Sequence, residues 1–195
     1  MEHFDSRKLR SVLRLLPAWK RVAFMASCCE RMLPNYLTFS LETGYGDVTH
    51  LNRGLAEVWR WIETNQAPCD VDVLIQACEQ QGPDTAEFSS IYTSAALDAA
   101  NSIAATLDAL GETTEDQAIE VASLARDTVD LFVQQCNELD PNDSEIERRI
   151  AETPLMQSEL KMQRRCLDRL LDDSVDRGLI VAEVRSKFAD RSLPG

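Results

Sequence analysis

The sequence has little of what usually announces chemistry. Its 195 residues include two histidines, His3 and His50, and contain no HExxH or ExxH pair, no GxSxG and no phosphate-binding P-loop. The six cysteines, Cys28, Cys29, Cys69, Cys78, Cys136 and Cys166, show no CxxC and no metal-ligand spacing. No metal and no cofactor are therefore expected. Runs of β-branched residues are missing, and no segment of five or more residues alternates as a half-buried strand does, which excludes a β architecture. An uninterrupted apolar span of 18 residues is also missing, which excludes a transmembrane helix. Positive charge is scarce: 20 Lys and Arg stand against 33 Asp and Glu, for a net charge of −13. Such a surface repels nucleic acid and anionic lipid over most of its area.

What is present is the composition of a helical protein. With 44% hydrophobic residues and only seven glycines and seven prolines, the chain can bury a sizeable core. The reading is all-α, a single-domain bundle of about seven to eight helices over residues 1–190, with a disordered tail at 191–195. Its centre is the stretch Val22–Leu33. From Val22 to Cys29 no charge and no large polar group occurs, so every face of a helix built from it is apolar or small. A helix of that kind, placed near residues 18–33, must be wrapped by the others.

The remaining helices follow from caps and spacing. Asp5 or Ser6 caps a first helix with an apolar stripe of Leu9, Val12, Leu13 and Leu16, and Pro17 restarts the chain. A short helix is predicted from Pro34 to Glu42, because proline suits a first turn and breaks an interior. Asp47 caps a helix to about Asn65 and Asp70 another to about Gln81. An alanine- and serine-rich packing helix covers Ser89 to Leu110, and Thr114 with Gln117 forms a capping box for Glu115 to Leu139. Ser144 with Glu147 is a second capping box. Thr153-Pro154 opens a last long helix, which Gly178 either divides or merely occupies.

Charge is distributed unevenly. Residues 1–31 carry seven Lys and Arg against Glu2, Asp5 and Glu30, a net of +4, which leaves −17 for the rest. Arg7, Lys8, Arg10 and Arg14 therefore form a basic arm, which either lies over the acidic body or docks on an anionic partner. Four cysteines fall at positions that read as helix interior, where a free thiol behaves as a small hydrophobe, and this points to a reducing cytoplasm. MASC at Met25–Cys28 imitates a lipoprotein cleavage box, but the apolar run before it is too short for an export signal.

One polar cluster stands out. Glu30, Arg31, Asn35, Tyr36 and Asp47 follow or flank the most buried helix, so some of them point inward, where a charge must be paired. Two readings are open: a structural network tying the helix end to its neighbours, or a pocket for a small polar ligand. His50 after Asp47 is read as exposed, with Asp47 a cap. The leading functional class is a helical interaction or small-ligand-binding protein, with a protein partner or a homodimer within that class. A nucleic-acid or membrane contact through the basic arm is the second class, and an enzyme using Glu30, Asp47 or Asp98 as acid or base the third.

The same residues carry a resemblance. Trp19, Phe24-Met25-Ala26, Cys29-Glu30-Arg31-Met32, Pro34-Asn35-Tyr36, Phe39, Thr43-Gly44 and Gly46-Asp47 are similar to the signature of the YjaG-like family of bacterial proteins, a domain of unknown function. Arg53, Leu55 and Trp59 resemble its next helix, and Ala95 with Asp98-Ala99 its Tyr-Pro-Ala-x-Asp-Ala motif. The proline of that motif is absent here and Tyr92 is displaced, so no role carries over to Tyr92. The resemblance implies an all-α cytoplasmic bacterial protein of similar length and supplies no catalytic residue, cofactor or substrate.

Overall fold

A computed structural model describes residues 2–188 apart from 138, 141, 173 and 175, with side chains through residue 183. The tail expected at 191–195 lies outside the described residues. Among the described residues nine helices form and no strand does: α1 Ser6–Leu13, α2 Ala18–Thr43, α3 Val48–Thr64, α4 Val71–Glu79, α5 Thr93–Asp108, α6 Glu115–Cys136, α7 Ile146–Ala151, α8 Pro154–Leu170 and α9 Arg177–Phe188.

The organising element is α2. It touches α3, α5, α6, α8 and α9, and each of the eight residues Val22 to Cys29 is 0% exposed. A helix without a polar stripe has no face to give to water, so its neighbours close around it. The tightest partner is α5, whose Ala95, Ala96, Ala99, Ala100 and Ala104 are buried, since small side chains let two helix axes approach closely. Polar atoms inside this core are satisfied locally. The Ser27 hydroxyl donates to the Phe24 carbonyl at 2.8 Å and Thr106 to the Ser102 carbonyl at 2.6 Å.

The helix does not end at Leu33. Pro34 lies inside α2, which runs unbroken to Gly44, a left-handed cap at φ 71° whose N–H donates to Ser40. Proline removes one helix bond and costs about 3 kcal/mol in an interior. Beyond it Tyr36 and Phe39 are both 0% exposed, and burying each side chain returns about 1.5–3 kcal/mol, so tertiary burial outweighs the local rule. Two predicted helices thus become one.

The chain is divided elsewhere. The expected last helix stops at Leu170 and α9 begins at Arg177, so the break precedes Gly178. Its cause is aspartate: the Asp172 carboxylate accepts from the Ser174 N–H at 2.9 Å, and the Asp176 carboxylate accepts from the Leu179 N–H at 2.8 Å as an N-cap. The same residue type displaces the capping box expected at Ser144. There the Asp143 carboxylate accepts from the Glu145 N–H at 2.9 Å, and α7 begins at Ile146. Caps at Asp5, Asp47, Thr114 and Thr153 form as expected, whereas the Asp70 side chain makes no cap bond.

Candidate functional site

The polar residues that end the buried part of α2 leave the helix in three directions. Glu30 turns to α3, where its carboxylate accepts from the Trp59 indole N–H at 2.7 Å. Tyr36 turns to the end of α4, donating its hydroxyl to the Gln81 carbonyl at 3.1 Å, and burial pushes its phenol up to about 12. The Gln81 side-chain oxygen accepts from the Asp47 N–H at 2.8 Å, so one residue ties the Tyr36 hydroxyl to the turn before α3. Gly46 is confined in that turn: its φ is 72°, and a Cβ there would lie 2.0 Å from the Tyr36 hydroxyl. The Asp47 carboxylate accepts from the Thr49 hydroxyl and N–H, which holds it below the usual carboxylate range, and it is exposed with His50. Glu30, Tyr36 and Asp47 therefore do not share a pocket.

Arg31 and Asn35 do. They lie one turn apart on the face of α2 toward α6 and α8, each 3% exposed. Arg31 makes a two-pronged pair with Glu159 of α8, Nε to Oε2 at 2.8 Å and Nη2 to Oε1 at 2.7 Å, and Nη1 donates to the Ser27 carbonyl at 2.6 Å. Gln163 completes the set, donating to Glu159 at 2.9 Å and to the Ala122 carbonyl at 3.0 Å. Burial works against the Arg31 charge, but the adjoining Glu159 carboxylate more than offsets it and holds the guanidinium protonated well above its ordinary range. Cys28 and Cys166, beside this pair, are fully enclosed. Burial pushes their thiols up to about 12 and about 11, values that leave no thiolate for nucleophilic work.

Above the pair is a small chamber of ≈ 60 Å³, lined by Arg31, Asn35, Thr128, Leu155, Ser158 and Glu159 among others. Thr128 links it to α5 by donating its hydroxyl to the Asp98 carboxylate at 2.8 Å. Leu155, half-buried at the start of α8, forms the wall between this chamber and an open apolar cleft of ≈ 420 Å³, lined by Ile91, Phe132, Val133, Cys136, Pro154 and Leu155. An inner chamber of mixed lining, in which Met32, Val129 and Met162 accompany the polar groups, and an apolar outer cleft thus share one side chain.

Asp98 is the titrating group of this region. Burial pushes its carboxyl up from 3.8 to about 6, the Thr128 hydrogen bond opposes the rise, and Asp127 adds to it. A folded pKa above the unfolded one means that the fold binds the proton more tightly. The penalty is therefore absent below about pH 3.8, grows as pH rises, and is complete above about pH 6, where it reaches about 3 kcal/mol. Asp98→Asn, whose amide oxygen can still accept from Thr128, is expected to raise stability at pH 7 by about 1–3 kcal/mol and to change it little at pH 4. Urea unfolding at the two pH values checks this, and an equal gain at both would refute it.

Residues that the sequence singled out elsewhere stay apart from this region. Arg10 pairs with Asp116 and Arg21 with Glu115, both on the first turn of α6, while Lys8 reaches its own cap Asp5 at 3.9 Å. Arg7 and Arg14 are exposed. Glu159, Gln163, Thr128 and Ser158 went unremarked in the sequence. The signal was there in α8, where Glu159 and Gln163 fall on the same 3–4 spacing as the buried Met156, Leu160, Cys166 and Leu167. Among the described residues no group of three His, Cys, Asp or Glu could hold a metal ion, and no helix is long and apolar enough to cross a membrane.

The geometry has close relatives. A crystal structure of a DUF416 family protein from Shewanella baltica OS155 superposes with a TM-score of 0.83, covering 96% of this chain and 94% of that one at 23% identity, which shows a shared fold. The uncharacterized protein YjaG of Escherichia coli (strain K12) is 29% identical over 169 residues, 86% of this chain and 83% of that protein. An uncharacterized protein of Haemophilus influenzae is 27% identical over 154 residues, 77% and 76% of the two chains. With residues 8–193 matching the family described as "Protein of unknown function (DUF416)", nearly the whole helical body accounted for above is family territory, and the chain belongs to that bacterial family.

Proposed function

We propose that this protein binds a small ligand with an apolar body and a neutral or cationic hydrogen-bonding head. The observation that carries the reading is the meeting of chamber and cleft at Leu155. At ≈ 420 Å³ the outer cleft falls within the roughly 300–1,000 Å³ of small-molecule sites, while the chamber has room for a head group only. Asn35, Thr128 and Ser158 place polar side chains in its lining. The Arg31 charge is already neutralised by Glu159, and Asp98 behind Thr128 disfavours an anion. Of the five clustered residues, Arg31 and Asn35 belong to this site and Glu30, Tyr36 and Asp47 support the scaffold. No nucleophile with a base in reach accompanies them, so binding is favoured over catalysis. Burial of four thiols as small apolar groups supports a reducing, cytoplasmic setting.

Thermal shift with n-hexanol, n-hexylamine and hexanoate tests the site. The alcohol and the amine are expected to raise Tm, by roughly 3–6 °C at ten times their Kd, and the carboxylate less. Leu155→Trp, which fills the junction, is expected to abolish the shift. The same shift in that variant, or the largest shift with hexanoate, would sink the reading.

A further inference from the structure

On the far side of α8 the segment Glu2 to Phe4, which belongs to no helix, crosses a trough before α1 begins at Ser6. It does not fill the trough. A space of ≈ 440 Å³ opens on one side, toward Leu9, Val12, Leu167 and Leu171, and a space of ≈ 350 Å³ on the other, toward Arg126, Arg148, Ile150 and Met156. Glu2, His3, Phe4 and Leu160 line both, so the segment and one α8 leucine separate two halves of a single groove.

The segment is held by contacts that read three features of a peptide. Gln157 reads backbone: its side-chain oxygen accepts from the Glu2 N–H at 2.8 Å, and its amide donates to the Glu2 carbonyl at 2.9 Å, the two bonds that a paired strand would supply. Gln157 is itself fixed by donating to the Ala151 carbonyl at 2.8 Å. Arg126 reads an aromatic ring, its guanidinium carbon 4.9 Å from the Phe4 centroid. Charge is complementary as well, because Arg164, which pairs with Asp168 at 3.0 Å, lines the same space as Glu2. His3, between them, is exposed and unread.

We propose that this groove, bounded by α1, α6, α7 and α8, binds a partner segment of the pattern acidic, any residue, aromatic, and that Glu2-His3-Phe4 occupies it as an internal competitor. Recognition rests on one residue of backbone pairing, one carboxylate near Arg164 and one ring on Arg126, and the flanking spaces accommodate larger residues than the chain's own. A tethered competitor acts at an effective concentration in the millimolar range, so a partner binds at an affinity reduced by the fraction of time the groove is empty.

The test uses the full chain and a fluorescein-labelled peptide, EHFDSRK, followed by anisotropy. Vacating the groove with the double substitution Glu2→Ala/Phe4→Ala is expected to tighten peptide binding at least about tenfold over wild type. Gln157→Ala added to that variant, or a peptide with alanine for phenylalanine, is expected to remove binding. If the double variant loses cooperative unfolding, Phe4→Ala alone replaces it and the same gain decides. Equal affinity for wild type and the vacated chain, or binding indifferent to Gln157, overturns the proposal. A wild-type/variant heterodimer on gel filtration would assign the occupant to a second copy, and would overturn the partner reading too.

Discussion

Arg31→Met is expected to lower stability by about 3–5 kcal/mol at pH 7, and Glu159→Leu by a similar amount, while the double substitution Arg31→Met/Glu159→Leu recovers most or all of the loss. The reasoning is one of desolvation. Both side chains lie out of water, at 3% and 9% exposure, and each is stabilised chiefly by the other. Deleting one strands the other: without Arg31, Glu159 keeps only the Gln163 amide, and without Glu159, the guanidinium keeps Ser27 and a weak sulfur contact to Cys28 at 3.4 Å. Two apolar side chains of similar volume have no such debt, so the coupling between the sites should be large and of opposite sign to the single losses. Urea unfolding of the four proteins measures it. Additive losses would mean that the pair is not the buried unit described above.

Ala26→Asp is expected to have the larger effect of the two, abolishing soluble expression or costing several kcal/mol. Ala26 is 0% exposed at the middle of the all-apolar turn sequence of α2, with α5 and α6 packed on that helix. A carboxylate there has no water and no partner, and even protonated it overfills a site shaped for a methyl group. Ala26→Gly separates the terms: it should cost only about 1 kcal/mol from helix propensity plus a small cavity. Thermal melts of the purified proteins decide, and a wild-type Tm in Ala26→Asp would refute the placement.

Legibility in the sequence followed the range of the physics. The burial of Val22–Cys29 was readable because it needs no knowledge of neighbours: no orientation of that helix presents a polar side chain to water. The caps at Asp5, Asp47, Thr114 and Thr153 were readable because they act within three residues. Pro34 misled because the local rule is real but weaker than the burial of Tyr36 and Phe39, which becomes visible only once those residues have partners. Gly178 drew attention from Asp172 and Asp176, whose side chains end one helix and start the next. The lining of the proposed site was only in part marked in the sequence. Arg31 and Asn35 were marked by adjacency to an apolar run. Glu159 was not, since an acid on a charged helix reads as solvated until a cation 128 residues away is brought to it. The grouping of Glu30, Tyr36 and Asp47 with Arg31 reflected nearness in sequence, but the turn of α2 sends Glu30 to α3 and Tyr36 to Gln81 beyond α4, while Asp47 caps α3.

That separation of 128 residues also sets a schedule for biosynthesis. At about 5–20 residues per second, the ribosome delivers Glu159 roughly 6–25 s after Arg31. Throughout that interval the nascent α2 has a segment that no solvent-facing arrangement can satisfy, followed at once by a cation with no carboxylate to enclose it. The Arg31 face of α2 therefore closes only when α8 arrives, whereas α3, α5 and α6, made earlier, can already cover the rest of the helix.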